Sequence, residues 1–572
     1  MNTTAQFPRG VVVAEAYDLI VLGSGAAGFT AAATAACKGL KVLIVEKAAT
    51  FGGTSAISGG AAWIFDSDQA RAAGIQDSPQ AIRTYLRKTI GSAFNPELVE
   101  AFIQRGREAL HFLEQNTELA YALRPFSPDY YPLEEGATDR GRALEVVEYD
   151  GRLLGARFKD LRRPPEGMLL FGGMMVNRVD IQHFLSFRRS PRSLWHCLKL
   201  LARYGLDRLS HERGTRLTVG NALIARLATT AFAKGAELWL NSSAESLVLD
   251  QGRVRGVRVR CNGQLLELHA RGGVVCAMGG FAAGAQAADY RPDTGSEHWT
   301  MSPETNDGVA LALGETVNAA TGNGLAANFF WAPVSVLPRL GNELERFPHL
   351  VTDRAKPGII AVNRAGRRFT NEADSYHSFV QAMQRPGNAP CWLIGDAEAL
   401  GRYGMGLARP SPVDNRALER AGYLHRADTP EQLARAIGVD PQGLVATLAH
   451  HNEDARAGVD SQFGKGATSY NQSLGDPHHQ PNPCLAPLTK APWYAIRLHT
   501  GDLGSARGLV TDANANVLDR QGAPIAGLYA AGNDMNSIMG GTYPGPGITI
   551  GPGLTFGYLA ATHVAERLQS NH

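Results

Sequence analysis

The N-terminal segment constrains the fold most, because it places a strand, a glycine-rich turn, a helix and a second strand in one order. The apolar run YDLIVL at 17–22 leads into a six-residue turn, and an alanine-rich stretch follows as far as Cys37. A second run, KVLIVEK at 41–47, contains Glu46 near its end. This order predicts a dinucleotide-binding βαβ unit, and its turn residues are Gly23, Ser24, Gly25, Ala26, Ala27 and Gly28.

Each glycine of this turn has its own predicted role. Gly23 permits a tight turn, Gly25 lets the backbone approach a pyrophosphate, and Gly28 lets the helix pack closely on the sheet. The helix N-terminus offers unpaired N–H groups to the phosphates. Glu46 lies 18 residues after Gly28, where its carboxylate can accept hydrogen bonds from ribose hydroxyls and disfavours the 2′-phosphate of NADP. We assign the adjacent Lys47 to the same site.

A second loop rich in glycine and hydroxyl groups, FGGTSAISGG at 51–60, decides between the dinucleotides. Such a loop can lie along a pyrophosphate and a flavin ring, whereas a nicotinamide site needs no such element. The segment therefore favours FAD, with a flexible surface loop as the alternative. The candidate cofactor residues in it are Gly52, Gly53, Thr54, Ser55, Ser58, Gly59 and Gly60.

The remaining patterns predict how the chain is divided. Helical periodicity covers 79–120, alternating strands cover 237–281, and helices are expected at 428–458 after a turn at 363–366. The order strand, glycine loop and helix is predicted a second time at 527–561. The prediction is an α/β protein: a Rossmann-like FAD-binding domain, with a parallel sheet and a β-meander, interrupted by an inserted α+β cap. Its boundaries are 15–334 (with a helical insert at about 79–216), 335–489 for the cap and 490–572. Further candidate cofactor residues along it are Ala244, Gly279, Gly280, Gly532, Asn533, Asp534, Gly547, Ile548 and Ile550.

A basic, aromatic segment at 185–216 has eight Arg or Lys residues and two acidic ones. This pattern is compatible with contact to a membrane surface, although a solvated helix pair is the favoured interpretation. Elsewhere charge is balanced, with 56 basic and 54 acidic residues, so no nucleic-acid partner is expected. The six cysteines form no C-x-x-C motif, and no metal site is predicted.

The first ten residues lack a signal-peptide pattern, and no apolar run reaches the length of a membrane span. We therefore expect a cytoplasmic protein.

The C-terminal loop from Gly540 to Gly557 is rich in glycine and proline around Thr542 and Tyr543. A stiff loop that opens a helix presents N–H groups to an oxygen, as in an oxyanion hole. The alternative is a helix cap that touches only the flavin.

The sequence resembles the fumarate reductase-type flavoprotein superfamily, and specifically its 3-ketosteroid dehydrogenase branch. The motifs that carry the resemblance are VLGSGAAG…IVEK (21–47), FGGTSAISGGAAW (51–63), PDYYP (128–132), RRFTNEADSYHSF (367–379) and GNDMNSIMGGTYPGPGITIGPGLTFGY (532–558).

The resemblance implies roles for four residues. Tyr376 matches the base that removes an α-proton, Tyr130 matches its supporting tyrosine, and Tyr543 with the Gly547 N–H matches the pair that binds the ketone oxygen. Tyr131 is the alternative to Tyr130, because the register is uncertain by one. The loop at 52–60 lacks the histidine that attaches FAD covalently in related dehydrogenases, so non-covalent FAD is expected.

The expected activity is 3-ketosteroid 1,2-dehydrogenation, with hydride transfer to flavin N5 and an unidentified electron acceptor. The expected substrate is a hydrophobic, steroid-like ketone. Alternatives are 4(5α)-dehydrogenation, oxidation of a smaller cyclic ketone, a fumarate reductase-type alkene reductase, or a non-catalytic FAD module. A dicarboxylate is disfavoured, because Thr542, Tyr543 and Pro544 stand where such enzymes carry an arginine.

Overall fold

The computed structural model describes residues 16–338 and 344–570. The first ten residues, for which no signal peptide is predicted, lie outside this part. Residues 339–343 of the predicted cap also lie outside it. The helices are α1 Ala26–Cys37, α2 Gly53–Ala56, α3 Asp68–Ala72, α4 Pro79–Ile90, α5 Pro96–Asn116, α6 Arg178–Ser186, α7 Pro191–Asp207, α8 Val219–Ala233, α9 Val309–Glu315, α10 Tyr376–Met383, α11 Ala397–Tyr403, α12 Arg416–Arg420, α13 Pro430–Ile437, α14 Pro441–Ala457, α15 Ser469–Leu474 and α16 Ile550–Ser570.

The strands follow the same order along the chain. They are β1 Tyr17–Leu22, β2 Val42–Val45, β3 Ala62–Trp63, β4 Tyr121–Leu123, β5 Ala143–Val146, β6 Tyr149–Asp150, β7 Arg216–Leu217, β8 Glu237–Trp239, β9 Ser242–Asp250, β10 Arg253–Cys261, β11 Gln264–Cys276, β12 His298–Thr300, β13 Phe329–Trp331, β14 Val334–Pro338, β15 Leu344–Pro348, β16 Ile359–Val362, β17 Cys391–Asp396, β18 Leu424–Ala427, β19 Trp493–Leu498, β20 Thr500–Ser505, β21 Asn516–Leu518 and β22 Pro524–Ala530.

The main sheet has the strand order β21-β22-β11-β1-β2-β8. β1 pairs in parallel with β2 and β11, β11 with β22, and β2 with β8, whereas β21 is antiparallel. All residues of β1 and β2 are buried, as expected for parallel strands covered on both faces. α1 packs against α8 and α16, and its many alanines allow these helices to approach closely.

The predicted meander at 237–281 is confirmed. β9, β10 and β11 are successive antiparallel strands. The N-terminal part of β11 pairs with β10, and its C-terminal part enters the parallel sheet beside β1. The strand β11 therefore connects the meander to the main sheet. The loop after β11, which contains Gly279 and Gly280, lies at the C-terminal edge of β1.

A separate sheet, β16-β17-β19-β18, is antiparallel. α13 and α14 confirm the helices expected at 428–458, and the Gly366 N–H donates to the Asn363 carbonyl in the predicted turn (2.9 Å). β19 begins at Trp493 and thus lies beyond the predicted boundary at residue 489. α10 begins at Tyr376, on the side of this region that contacts β13 and β20.

The helices expected between 79 and 120 are α4 and α5, and residues 124–142 form an irregular segment that contains neither helix nor strand. The segment at 185–216 forms most of a helical hairpin, α6 and α7. In the described part of the chain, no helix has both the length and the hydropathy needed to cross a membrane.

Candidate active site

Glu46 and Ser24 form a buried pair at the C-terminal ends of β1 and β2. One carboxylate oxygen of Glu46 accepts hydrogen bonds from the Ser24 N–H (3.1 Å) and hydroxyl (2.5 Å), and the other accepts from the Ala48 N–H (2.8 Å). The Gly52 N–H donates to the Ser24 hydroxyl (2.9 Å). The acidic residue predicted to bind ribose therefore also connects the first glycine turn to the second.

The N-terminus of α1 is built to receive an anion. Its N-cap, Gly25, has no side chain, and the Ala26 N–H donates to the Ser55 hydroxyl (3.0 Å). Within the described residues, the N–H groups of Ala27 and Gly28 have no acceptor. A Cβ on Gly25 would approach only the Ser55 hydroxyl, at 3.4 Å. Unpaired donors at a helix N-terminus beside open space fit the pyrophosphate of FAD.

The loop at 51–60 begins with the short helix α2, and its hydroxyls have separate partners. Ser55 caps α1, Thr54 accepts from the Asn306 amide (3.0 Å), and the Ser58 hydroxyl donates to the Ser55 carbonyl (2.7 Å). Gly52 and Gly60 have positive φ angles (113° and 65°), and a Cβ on Gly60 would lie 2.5 Å from a Val219 backbone atom. The loop is thus packed on α8, unlike the flexible surface loop of the alternative interpretation.

Other predicted cofactor residues lie around this cradle. The buried Asp534 accepts from the N–H groups of Met278 (2.5 Å) and Gly280 (2.8 Å), and burial raises its pKa to about 6. Its oxygens bind the glycine loop after β11, so its role here is to position that loop. Lys47 forms an ion pair with Asp307. Ala244 lies on β9, whose first residue, Ser242, donates its N–H to the Glu46 carbonyl (2.9 Å).

The C-terminal glycine loop packs directly on the first turn of α1. A Cβ on Gly532 would lie 3.0 Å from the Ala27 side chain, and one on Gly553 would lie 3.7 Å from it. A cleft runs beside this contact, and its lining includes Phe330, Gly532, Asn533, Met535, Ile548 and Thr549. The predicted residues Asn533 and Ile548 therefore line one cleft together with Phe330 and with Gly532, which packs on Ala27 of α1.

Three predicted tyrosines converge beside Phe330, which lines this cleft. The ring centroids of Tyr130 and Tyr376 are 5.6 Å apart, those of Tyr376 and Tyr543 are 5.0 Å apart, and Tyr130 stacks on Tyr543 at 5.6 Å. Phe330 meets Tyr543 edge to face at 5.6 Å. Residues separated by more than 400 positions thus form one aromatic cluster.

Tyr130, and not its neighbour Tyr131, contacts Tyr376. Tyr131 is half-buried, and its hydroxyl interacts with Ser378, two residues after Tyr376, and with the backbone of Tyr543. The ring that contacts Tyr376 is that of Tyr130. The Tyr130 N–H donates to the Pro544 carbonyl (2.9 Å), which also accepts from the Tyr85 hydroxyl (2.6 Å). These two hydrogen bonds fix Tyr130 relative to the loop that carries Tyr543.

Gly547 lies four residues after Tyr543 and has a φ of 99°. A Cβ there would lie 2.5 Å from the Ala61 carbonyl oxygen, so a side chain would displace β3 or the loop. Its carbonyl accepts from the N–H groups of Trp63 (3.3 Å) and Gly551 (2.8 Å). In the described part of the chain no acceptor is bonded to the Gly547 N–H, which leaves this donor available to a ligand.

Burial in this apolar cluster makes each tyrosine hard to ionise. It raises the pKa of Tyr376 well above the ordinary value, and the neighbouring hydroxyls of Tyr130 and Tyr543 raise it further. Burial also raises the pKa of Tyr130 and Tyr543, while the hydrogen bond with Tyr376 opposes the rise in both. A phenolate in this cluster therefore needs positive charge nearby.

Positive charge near Tyr130 comes from Arg124 and Arg354, both missed by the sequence interpretation, and the more deeply buried of the two is Arg354. Its guanidinium is buried and donates only to carbonyl oxygens, those of His349 (2.8 Å), Glu372 (2.7 Å), Asp374 (3.1 Å) and Leu350 (3.0 Å). Its charge lowers the pKa of Tyr130 and of Tyr470, against the larger effect of burial. No motif singles out this arginine, because its partners at 349–350 and 372–374 are backbone carbonyls, which leave no side-chain pattern in the sequence.

Two further residues at the cluster were not assigned from the sequence. Tyr470 lies 4.8 Å from Tyr130, ring to ring. His377 follows Tyr376 and is fully buried, and burial lowers its pKa to about 3. Its Nδ1 accepts from the Trp331 N–H (3.2 Å), so the proton of the neutral ring is on Nε2. The quoted motif RRFTNEADSYHSF contains His377, which was the available signal.

Comparisons with known proteins agree with this geometry. The profile of a family described as "FAD binding domain" matches residues 18–550. The chain belongs to this FAD-binding family. It is 35% identical to a 3-oxosteroid 1-dehydrogenase of Mycobacterium tuberculosis (strain ATCC 25618 / H37Rv), over 96% of this chain and 98% of that protein.

Two further relatives show the same full-length similarity. A 4-oxocyclohex-2-ene-1-carboxylate 5-dehydrogenase of Sinomonas cyclohexanicum is 37% identical over 96% of this chain and 94% of that protein. The crystal structure of a 3-ketosteroid Δ1-dehydrogenase from Sterolibacterium denitrificans, in complex with 1,4-androstadiene-3,17-dione, superposes with a TM-score of 0.89 at 37% identity, and covers 96% of this chain and 100% of that one. The flavoprotein therefore has the mixed α/β fold of this family, and its resemblance to the ketosteroid dehydrogenase branch is confirmed.

The Glu46 network leads to a prediction about FAD affinity. Glu46→Gln should weaken FAD binding by about 1.5–3 kcal/mol, or roughly 10- to 100-fold, because charge-assisted hydrogen bonds become neutral ones. Titration of the apoprotein with FAD measures this change. Ser24→Ala is the matched control, because it removes the hydroxyl that bonds Glu46 but keeps the carboxylate, and its loss should be smaller. Equal losses in the two variants would show that Glu46 acts only through the loop.

Proposed function

We propose that this flavoprotein is a dehydrogenase that introduces a carbon–carbon double bond beside a ring ketone. Its proposed substrates are 3-ketosteroids, with oxidation at the 1,2 bond. The observation that carries the proposal is the convergence of Tyr130, Tyr376 and Tyr543 near the unbonded N–H of Gly547, beside Phe330, which lines the cleft. The names of the full-length relatives support the choice of substrate.

In the proposed mechanism, Tyr543 and the Gly547 N–H donate hydrogen bonds to the ketone oxygen and stabilise the enolate that develops on it. Tyr376, as phenolate, removes the proton from the α-carbon, and Tyr130 stabilises that phenolate by a hydrogen bond. FAD held by the cradle residues would supply the redox chemistry, as the acceptor of the hydride from the carbon next to the α-carbon. The packed rings of Phe330 and the tyrosines exclude water from the reacting atoms.

The proposed cofactor site consists of the cradle residues already described, and FAD is proposed to be non-covalent because the loop at 52–60 has no histidine. We also propose that the Rossmann-like domain is interrupted by a cap. Residues 335–489 form most of it, and β19 extends it to Leu498, because this strand pairs with β17 and β18.

Two buried arginines of the proposed cap, Arg354 and Arg368, do not favour a dicarboxylate substrate. Arg368 pairs with Glu372 (2.7 Å) and Asp460 (2.8 Å), and all three side chains are buried. The Arg354 guanidinium donates its hydrogen bonds to backbone carbonyl oxygens. Both cations are thus engaged by the protein, which argues against a fumarate reductase-type reaction.

A smaller cyclic ketone is the second candidate, because the relative from Sinomonas cyclohexanicum is as similar as the steroid enzymes. Anaerobic mixing of the holoprotein with 3-ketosteroids, 4-oxocyclohexanecarboxylate and succinate distinguishes the candidates. We expect flavin bleaching with 3-ketosteroids and none with succinate. Faster bleaching by the cyclohexanone would assign the smaller substrate, and bleaching by succinate alone would refute the tyrosine mechanism.

The role of Tyr376 predicts a large effect of removing its hydroxyl. Tyr376→Phe should slow flavin reduction by a 3-ketosteroid about 10²- to 10⁴-fold while ligand binding persists, because only the proton acceptor is lost. Stopped-flow absorbance measures the rate, and a substrate deuterated at the α-carbon should keep or increase its isotope effect. Tyr131→Phe is the control and should reduce flavin at nearly the wild-type rate. The opposite ranking of the two variants would move the base to another residue.

Arg354 predicts a pH dependence. The phenolate form is the active one and its pKa is raised, so flavin reduction should accelerate as pH increases. Arg354→Met removes a charge that lowers the pKa of Tyr130 and Tyr470, so the rise should move to higher pH. Arg354→Lys keeps the charge and should leave the profile nearly in place.

A control separates this electrostatic effect from lost stability. Arg213 is also buried and donates to carbonyl oxygens, those of Phe158 (3.3 Å) and Leu161 (3.3 Å), but it lies away from the tyrosines. Arg213→Met should lower the midpoint of thermal unfolding without moving the pH profile. If Arg354→Met also leaves the profile unmoved, the arginine is structural only.

A further inference from the structure

The α6–α7 hairpin exposes large apolar side chains. Trp195 is 62% exposed and Leu206 is 68% exposed, and Leu209, just after α7, is 83% exposed. Leu194, Leu198, Val179 and Ile181 are also exposed. A solvated helix pair, the interpretation favoured by the sequence, would direct polar side chains outwards. The hairpin directs these apolar side chains outwards as well, and clustered apolar exposure of this kind marks an interaction surface.

The exposed residues of α7 follow a helical period. Trp195, Leu198, Ala202 and Leu206 are spaced by three and four positions, and each is exposed. Residues with this spacing lie on one side of a helix. The stripe is therefore a continuous apolar strip along the helix.

Basic residues flank this stripe. Arg188, Arg189, Arg192, Lys199, Arg203 and Arg208 are all exposed. Among the described residues, no carboxylate lies within ion-pair distance of any of the six. The outward face of the hairpin thus combines apolar side chains with uncompensated positive charge.

The two acidic residues of the hairpin, Asp180 and Asp207, bond to groups of the protein rather than facing the apolar stripe. Asp180 is buried and pairs with Arg216 (2.9 Å) and His196 (2.8 Å). Asp207 accepts from the Thr215 N–H (2.7 Å), and the Tyr204 hydroxyl donates to the Phe171 carbonyl (2.8 Å). These contacts fix the hairpin to the rest of the protein, so its apolar stripe is presented on an ordered support.

We propose that the α6–α7 hairpin binds the surface of an anionic lipid bilayer, with its apolar stripe in the interface and its arginines and lysine on the headgroups. An apolar face flanked by Arg and Lys is the arrangement that such interfaces select. A second copy of this chain is a poorer occupant, because it would bring the same positive face against the first.

Membrane binding through the hairpin would serve the proposed activity, and this part of the inference rests on that proposed activity. A steroid-like ketone partitions into bilayers, and the start of the hairpin is linked to the tyrosine cluster through the electrostatic reach of one residue, Arg124. Arg178, at the start of α6, and Tyr130 both lie within electrostatic range of Arg124. Docking through the hairpin would therefore place the tyrosine cluster close to the lipid that contains the substrate.

Sedimentation of the holoprotein with vesicles tests the proposal. We expect binding to vesicles of phosphatidylcholine with phosphatidylglycerol, weak binding to pure phosphatidylcholine, and release by added salt. The variant Trp195→Ser/Leu198→Ser/Leu206→Ser should lose at least tenfold in partitioning. The matched control, Leu249→Ser/Leu265→Ser/Val459→Ser, changes three equally exposed apolar residues elsewhere and should bind like the wild type.

The outcomes separate this inference from the proposed function. The triple hairpin variant should reduce its flavin with a ketone in free solution at the wild-type rate, so loss of vesicle binding is independent of catalysis. Equal binding by the wild type and the hairpin variant, or no binding by either, would overturn the membrane proposal. A wild-type dimer in size-exclusion chromatography that the hairpin variant abolishes, without vesicle binding, would assign the surface to a second copy.

Discussion

The contact between Gly28 and the Gly23 carbonyl is the constraint on which the rest of the site depends. A Cβ on Gly28 would lie 2.1 Å from that oxygen, and a Cβ on Gly23 would lie 2.2 Å from the Ala277 carbonyl oxygen. No side chain fits at either distance, so the first turn of α1 approaches β1 and β11 only through glycine. This approach aims the unpaired N–H groups of α1 at the cleft and lets α16 and the loop before it pack on Ala27.

The tyrosine cluster depends on a second contact, made by the Pro544 carbonyl. This oxygen accepts from Tyr85 and from the backbone of Tyr130, and so connects α4, the irregular segment at 124–142 and the C-terminal loop. Asp129 secures the same segment through Arg142 (2.7 Å) and Trp63 (2.9 Å). Burial raises the pKa of Asp129 to about 6, although the charge of Arg142 opposes the rise. The carboxylate and its cation are both needed, because removal of either would leave the other buried and unpaired.

Buried charge has two uses in this protein. Arg142 and Arg368 neutralise buried carboxylates and join segments of the chain. Among the described residues the Arg354 guanidinium donates only to backbone carbonyl oxygens, so its charge can act on the tyrosines, although Asp353, Asp374 and Glu372 lie within its electrostatic range. The difference follows from the partners: carboxylates cancel the charge, whereas carbonyl dipoles solvate it. This separates an arginine that stabilises the fold from one that also acts on the tyrosines.

Local patterns in the sequence were sufficient for the elements whose chemistry is local. The βαβ turn, the meander at 237–281 and the helices at 428–458 could be predicted, because glycine geometry and side-chain periodicity act over a few residues. The resemblance also supplied Tyr130, Tyr376 and Tyr543 as candidates. Only the tertiary structure decided that Tyr130 rather than Tyr131 meets Tyr376, that Arg354 and Tyr470 join them, and that α7 turns its apolar side outwards. These facts depend on contacts between segments hundreds of residues apart, and no local pattern encodes which of two adjacent side chains faces a distant neighbour.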